Sequence, residues 1–394
     1  MPFACKVKLI ILFLFVQFTA HSQEFYTDTS YHENGMIKSV IDRKVTSSDT
    51  LWQGSAYFYY SNGKPWQEGF YHNGKMEGIW TTWFPDGHLK RKALYRDGLK
   101  NGSFTNYYHN GNVKDEGFYI NDSLNGKMSL YYPGGQLKES RVYMGNRLNG
   151  LTEGYYPNGN PAYRMNFADS IQNGIYEIYY PSGELKEQGT MIGKRFYGDY
   201  KSFYKNGQTE KDYSYNKSFK IDGPYRVYHE NGQLMIKAHY ENGRIEGVWK
   251  QFYADGSLYE KGMYENGKRT GEWTSLYQDS TIYMKGQYVN GFAEGLWLIY
   301  HPNGRLKQKG NYRKGESEGQ WLFYYENGQI KKKGTYEDNL EHGHWVHYYE
   351  NGSIKLDLYY KHGKLEGILT AYDEEGNILE QAEFYDNKLV RQIK

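Results

Sequence analysis

Three histidines crowd one short stretch, His342, His344 and His347, and their type and spacing come nearest to a metal site. Two of them, one residue apart, would share one face of a strand, and imidazole pairs ligate zinc. Neighbouring stretches carry no equivalent histidines and the surroundings are polar. A solvated turn is therefore expected, and no metal is assigned. No nucleophile, base and orienting group stand together, so no catalytic residue and no cofactor are expected. The remaining residues with chemistry to offer are aromatic: 44 Tyr and 9 Trp in 394 residues. Rings set in rows either stack sugars or peptides or fill a core between repeated elements.

A repeat positions these rings. Residues 295–318 read GLWLIYHPNGRLKQKGNYRKGESE, and residues 319–342 follow as GQWLFYYENGQIKKKGTYEDNLEH. One glycine series marks a turn in each copy: Gly35, Gly63, Gly87, Gly111 and onward to Gly304, Gly328, Gly352 and Gly376, with Ser280 standing in once. This makes fifteen copies with a 24-residue period, apart from a step of 28 after Gly35 and one of 25 between Gly207 and Gly232. Such a period defines a repeat architecture. The residue before each glycine is usually Asn or Asp, as in Asn327-Gly328 and Asp255-Gly256. That pair accepts positive φ at low cost and is expected to close a tight hairpin.

A second glycine series, including Gly78, Gly247, Gly271, Gly295, Gly319 and Gly343, is expected to open the strand before the turn. Two residues later stand Trp80, Trp249, Trp273, Trp297, Trp321 and Trp345, read as the aromatic core between copies. From Trp321 to the next ring, Tyr324, the step is odd. Either a bulge lies before the turn or rings serve both faces. On the return strand, Leu306, Gly310 and Tyr312 share a face, and Gly310 leaves space for a ring from a neighbouring strand. Each copy thus predicts two strands of about five or six residues, with no room for a helix. One hairpin cannot bury its face alone, but a succession can. The expected fold is all-β: an elongated repeat solenoid of about fifteen stacked antiparallel β-hairpins.

Lys and Arg total 48 against 46 acids. This near-neutral balance argues against a basic field for nucleic acid or anionic membrane. Lys6 and Lys8 precede the apolar run Leu9 to Val16 and the small residues Ala20 and Ser22. The pattern predicts a secretory signal peptide over residues 1–22. The lone cysteine, Cys5, lies within it, so sheet pairing rather than disulfides is expected to hold the exported chain. Residues 23–53 are read as an N-terminal capping repeat with a polar insertion at Asp42 to Thr50. Residues 54–390 are the hairpin repeats, and 391–394 a C-terminal tail. Copies between Gly126 and Ser214 lack Trp and stand out as a softer region or a site.

The succession of glycine, Trp, two aromatics, Asn-Gly, an aliphatic with Lys, then glycine and Tyr resembles the MORN repeat over residues 26 to 390. It is closest to the bacterial variant found in proteins labelled YwqK-type antitoxins, as in Tyr59-Tyr60-Ser61-Asn62-Gly63. The resemblance implies antiparallel hairpins stacked into a sheet, and scaffolds or binding modules for proteins or lipids without chemistry of their own. A signal peptide sits poorly with the antitoxin role, because it separates the chain from a cytoplasmic toxin. The leader followed by Gln23 also resembles exported proteins of the Bacteroidetes group, pointing to the periplasm, the outer membrane surface or the medium.

The function expected is therefore an exported, non-enzymatic scaffold that binds a protein partner at the cell envelope. Carbohydrate binding, lipid binding and an immunity-like role are the alternatives, and nucleic acid is not expected. The second Tyr of each aromatic pair is the expected recognition surface: Tyr60, Tyr108, Tyr132, Tyr156, Tyr180, Tyr325 and Tyr349. Such rings lose little rotamer entropy on binding.

Overall fold

The computed structural model describes residues 24–394, and the expected signal peptide lies outside them. The described residues are all-β, with strands joined by turns and no helix. The chain divides at residue 148 into two compact units, each a run of antiparallel hairpins in which successive strands pair, except that short strands such as Ser123–Leu124 and Lys364–Leu365 pair only with the strand before them.

Strands run longer than the sequence pattern predicts. The copy around Gly328 has arms Glu316–Tyr324 (9 residues) and Ile330–Glu337 (8 residues). The difference lies in the second glycine series, which sits inside the strand instead of opening it. Between Lys309↔Leu322 and Asn311↔Glu318 the register slips, leaving two more residues on the Trp321 strand than on its partner. Gly319 lies in this bulge at φ +69°, a conformation that L side chains rarely adopt. The bulge folds Trp321 over Gly310 of the preceding hairpin, where an added Cβ would fall on the ring atoms Cδ2 and Cε2. A second slip, between Phe323 and Tyr324, settles the odd step from Trp321: a bulge precedes the turn.

Two kinds of turn alternate, and this corrects the reading of the Asn-Gly pairs. At Tyr325–Gly328 only Gly328 has positive φ (+92°), and its N–H donates to the Tyr325 carbonyl at 3.0 Å. Asn327 keeps ordinary φ because its side chain has other work. Its Oδ1 accepts from Gln329 N at 2.9 Å and its Nδ2 donates to the Glu350 carbonyl of the next copy at 3.3 Å. Pairs in which both residues have positive φ occupy the turns between copies instead, as Asn73-Gly74 (+49°, +77°) and Asn266-Gly267 (+53°, +78°).

In the first unit, Ile41, Ala56, Tyr71 and Trp80 form a buried cluster, with Trp52, Phe58, Met76 and Tyr95 packed against it. The stretch Asp42 to Thr50 lengthens a hairpin: Ile37–Val45 and Thr50–Tyr59 pair out to Val45↔Thr50. In the second unit, the 25-residue step is absorbed by a longer turn, where Phe219 takes φ +60° and its N–H donates to the Asn216 carbonyl at 2.9 Å. At the carboxyl end, Lys388–Gln392 pairs as a strand with Ile378–Tyr385. Strand pairing therefore continues into the stretch expected as a tail.

Candidate functional site

One sheet face of the second unit carries a ladder of rings. Trp297, Trp321 and Trp345 are 5%, 3% and 1% exposed, and Trp273 is equally buried. Tyr312 meets Trp297 and Trp321 edge-to-face at 6.0 and 5.2 Å, and Tyr336 meets Trp321 and Trp345 at 5.8 and 5.1 Å. This is the favoured aromatic geometry. Trp80, in the first unit, is likewise buried and sits edge-on to Tyr71 at 4.9 Å. Trp249 is only half-buried. Its counterpart across the bulge is Ala238 rather than glycine, so the ring lacks the bare backbone on which the others lie.

The second tyrosines are not a free surface, contrary to expectation. Six of these hydroxyls donate to a backbone carbonyl of the next copy, among them Tyr60 to Trp83, Tyr108 to Tyr131 and Tyr325 to Tyr348, all at 2.8 Å. Tyr156 and Tyr180 reach Tyr179 and Phe203 at 2.9 Å, and Tyr349 reaches Tyr372 at 2.8 Å. Tyr132 is half-buried like the others, with the Lys138 ammonium over its ring. His229 and His301 take the same place and bond to Phe252 and Tyr324 through Nε2. The row is thus a clamp between successive turns. Tyr325→Phe is expected to cost about 1 kcal/mol, read as a lowered urea midpoint. An unchanged midpoint would mean that the clamp carries no stability.

His342, His344 and His347 are not brought together. The bulge at Gly343 (φ +70°) breaks the alternation that would have aligned the first two. His342 turns to Glu337 (3.2 Å) and to the ring of His362 (5.1 Å). His344 bonds to Asp357 at 2.7 Å and stacks on Tyr359. His347 is half-buried, and burial together with Lys332 and Lys355 lowers its pKa, favouring the neutral ring.

The copies without Trp replace rings by a polar network. Glu187 accepts from the hydroxyls of Tyr176 (2.8 Å) and Tyr200 (2.6 Å). Burial and the bond to Glu187 push the Tyr176 phenol up to about 12 and raise that of Tyr200 as well. Both stay protonated at neutral pH, so they serve as donors and not as bases.

The opposite face carries a feature that sequence reading missed. Cross-strand pairing lines up one row through the second unit: Glu153, Arg164, Glu177, Gln188, Lys201, Asp212, Arg226, Lys237, Lys250, Lys261, Thr274, Lys285, Leu298, Lys309, Leu322, Lys333, Val346 and Asp357. Its first part neutralises itself, with Arg164 between Glu153 (3.1 Å) and Glu177 (3.2 Å) and Lys201 on Asp212 (3.6 Å). From Arg226 to Lys333 the row holds cations and no acid, and among the described residues none of these cations makes an ion pair. Exposed Val248, Met263 and Leu296 (54%, 49% and 52%) stand beside it on the same face. The signal was legible as Lys237, Lys261, Lys285, Lys309 and Lys333, spaced at the repeat period. Net charge hid it, because the balancing acids lie elsewhere on the chain.

The sequence matches the family described as MORN repeat variant at residues 52–73, 76–97, 100–121, 124–143, 148–169, 172–192, 221–242, 245–266, 293–314, 317–338, 341–362 and 365–387. The chain belongs to this family of interaction repeats. No curated protein matches the sequence. Among solved structures, a crystal structure of TcdB2-TccC3-TEV is similar over 91% of this chain and 20% of its own, at 14% identity and a TM-score of 0.17. The Tc holotoxin pore of Photorhabdus luminescens is similar over 92% of this chain and 26% of its own, at 11% identity and a TM-score of 0.13. A porin-like protein from Bacteroides uniformis is similar over 58% of this chain and 86% of its own, at 11% identity and a TM-score of 0.11. The chain spans only a fifth to a quarter of the toxin chains, and at such scores none of these likenesses bears on function.

Proposed function

We propose that this chain is an exported, non-enzymatic scaffold that holds a protein partner at the cell envelope through the basic row of its second unit. The unpaired run from Arg226 to Lys333 carries the reading. Lys285, Lys309 and Lys333 stand two strands apart, about 9.6 Å. That is near the Debye length of about 8 Å in physiological salt, so their fields overlap. Leu298 and Leu322, both half-buried, alternate with them and offer apolar contact between the charges. A partner that alternates acids with apolar groups satisfies both, whereas a bare polyanion leaves the aliphatics idle. The leader supports export, and the absence of a nucleophile–base set among the described residues supports a scaffold.

The test compares the wild-type chain with Lys285→Glu/Lys309→Glu/Lys333→Glu. Envelope proteins captured by both are identified, purified and titrated. A partner whose affinity falls at least tenfold in the variant, and falls with salt in the wild type, is the expected result. Equal affinity for both chains overturns the assignment of this row. Sedimentation with anionic vesicles lost in the variant, without any such protein, would replace a protein partner by a lipid surface.

A further inference from the structure

We infer that Asp86, His88 and His109, on successive turns of the first unit, form a divalent transition-metal site of the zinc class. The three residues offer one ligand atom each, and these atoms lie within 4.8 Å of one another. The set was hidden in the sequence because its members come from two copies and join only when one turn is laid on the next. It revises the expectation that the chain holds no metal site.

The turn chemistry prepares the donors. In the turn Phe84–Gly87, closed by the Gly87 N–H on the Phe84 carbonyl at 2.9 Å, Asp86 spends Oδ1 on the His88 N–H at 3.2 Å. Its other oxygen, Oδ2, faces His88 Nδ1 at 3.0 Å and His109 Nε2. The His109 ring lies against Phe84, with centroids 4.8 Å apart, and its distance to the His88 ring is 5.3 Å. Lys64 spends its ammonium on the Asp86 carbonyl oxygen at 2.6 Å. All three candidate ligands are exposed, so a hydrated ion reaches them directly. Two imidazoles and a carboxylate suit zinc, with one position left for water or for a side chain of a bound partner.

The same turns elsewhere supply an internal comparison. Asp255, Ser257 and Gln278 occupy the equivalent places in the second unit. There Gln278 Nε2 donates to Asp255 Oδ2 at 2.7 Å and Ser257 takes Oδ1. In both places the next turn's side chain is aimed at this carboxylate, and the Asp86 turn meets it with imidazoles. A bound ion would tie the two turns where a hydrogen bond serves in the other copy.

The experiment titrates Zn2+ into the full chain by calorimetry in a non-coordinating buffer, with Co2+ absorption as a second readout. The variant His88→Ser/His109→Gln reproduces the trio at Asp255, Ser257 and Gln278, which this fold already accommodates, so its metal-free urea midpoint should stay unchanged. Wild type is expected to bind one more Zn2+ than this variant and to show a Co2+ d–d band that the variant lacks. His342→Ala/His362→Ala is expected to keep both signals. No uptake by wild type, equal uptake by the Ser/Gln variant, or loss only in the His342/His362 variant would each overturn the assignment.

Discussion

Trp321→Ala is expected to remove about 3–5 kcal/mol of stability, the largest effect of any substitution proposed for this chain. The ring is 3% exposed and lies over Gly310, with Tyr312 and Tyr336 edge-on at 5.2 and 5.8 Å. Truncation opens a space that neighbouring tyrosines, clamped in their own strands, cannot close. In a repeat array each copy rests on its neighbours, so the loss should be local at first. Urea unfolding followed by circular dichroism gives the lowered midpoint. Hydrogen exchange should show protection lost in strands Leu306–Arg313 and Ile330–Glu337 before the carboxyl-terminal copies. Unchanged protection in these two strands would mean that the ring does not hold the copies together.

Gly310→Ala is expected to cost about 1–3 kcal/mol by overpacking alone. The backbone of Gly310 lies outside the left-handed region, so a methyl group brings no strain of its own there. The whole penalty comes from the ring of Trp321, where the new Cβ would fall. The chain contains the outcome at two other places. Ala93 pairs with the smaller Phe104, which stays buried, and Ala238 stands across from Trp249, which is pushed to half-burial. Trp321 in the variant should move toward the Trp249 state, seen as faster quenching by acrylamide together with the lower urea midpoint. A variant as stable as wild type would show that the close approach of ring and backbone is not needed.

The sequence made the repeat, its hairpins and the place of the tryptophans readable because they recur at one period. Gly310 could be assigned a packing role from its position between Leu306 and Tyr312 on one face. What escaped were features that depend on register between copies. Asn327 looked like a positive-φ residue, since its type permits that, but its amide is spent on the next turn. Tyr325 looked free for the same reason: its partner, the Tyr348 carbonyl, carries no side-chain signature. Gly319 reads as a strand start because a bulge glycine and an opening glycine look alike in sequence. His342 and His344 were aligned by simple alternation, which that class of bulge breaks at Gly343. The basic row and the Asp86 trio belong to the same kind of miss, for each is assembled only by stacking one copy on another.

Stacking in register with each tryptophan laid on the glycine of the preceding hairpin is tested most directly by a double-mutant cycle on Gly310→Ala and Trp321→Ala. Without the indole, the methyl group at 310 meets nothing and partly fills the space left behind. The two effects should therefore fall short of their sum by at least about 1 kcal/mol. Additivity within about 0.5 kcal/mol would place the two residues out of contact and contradict the packing described.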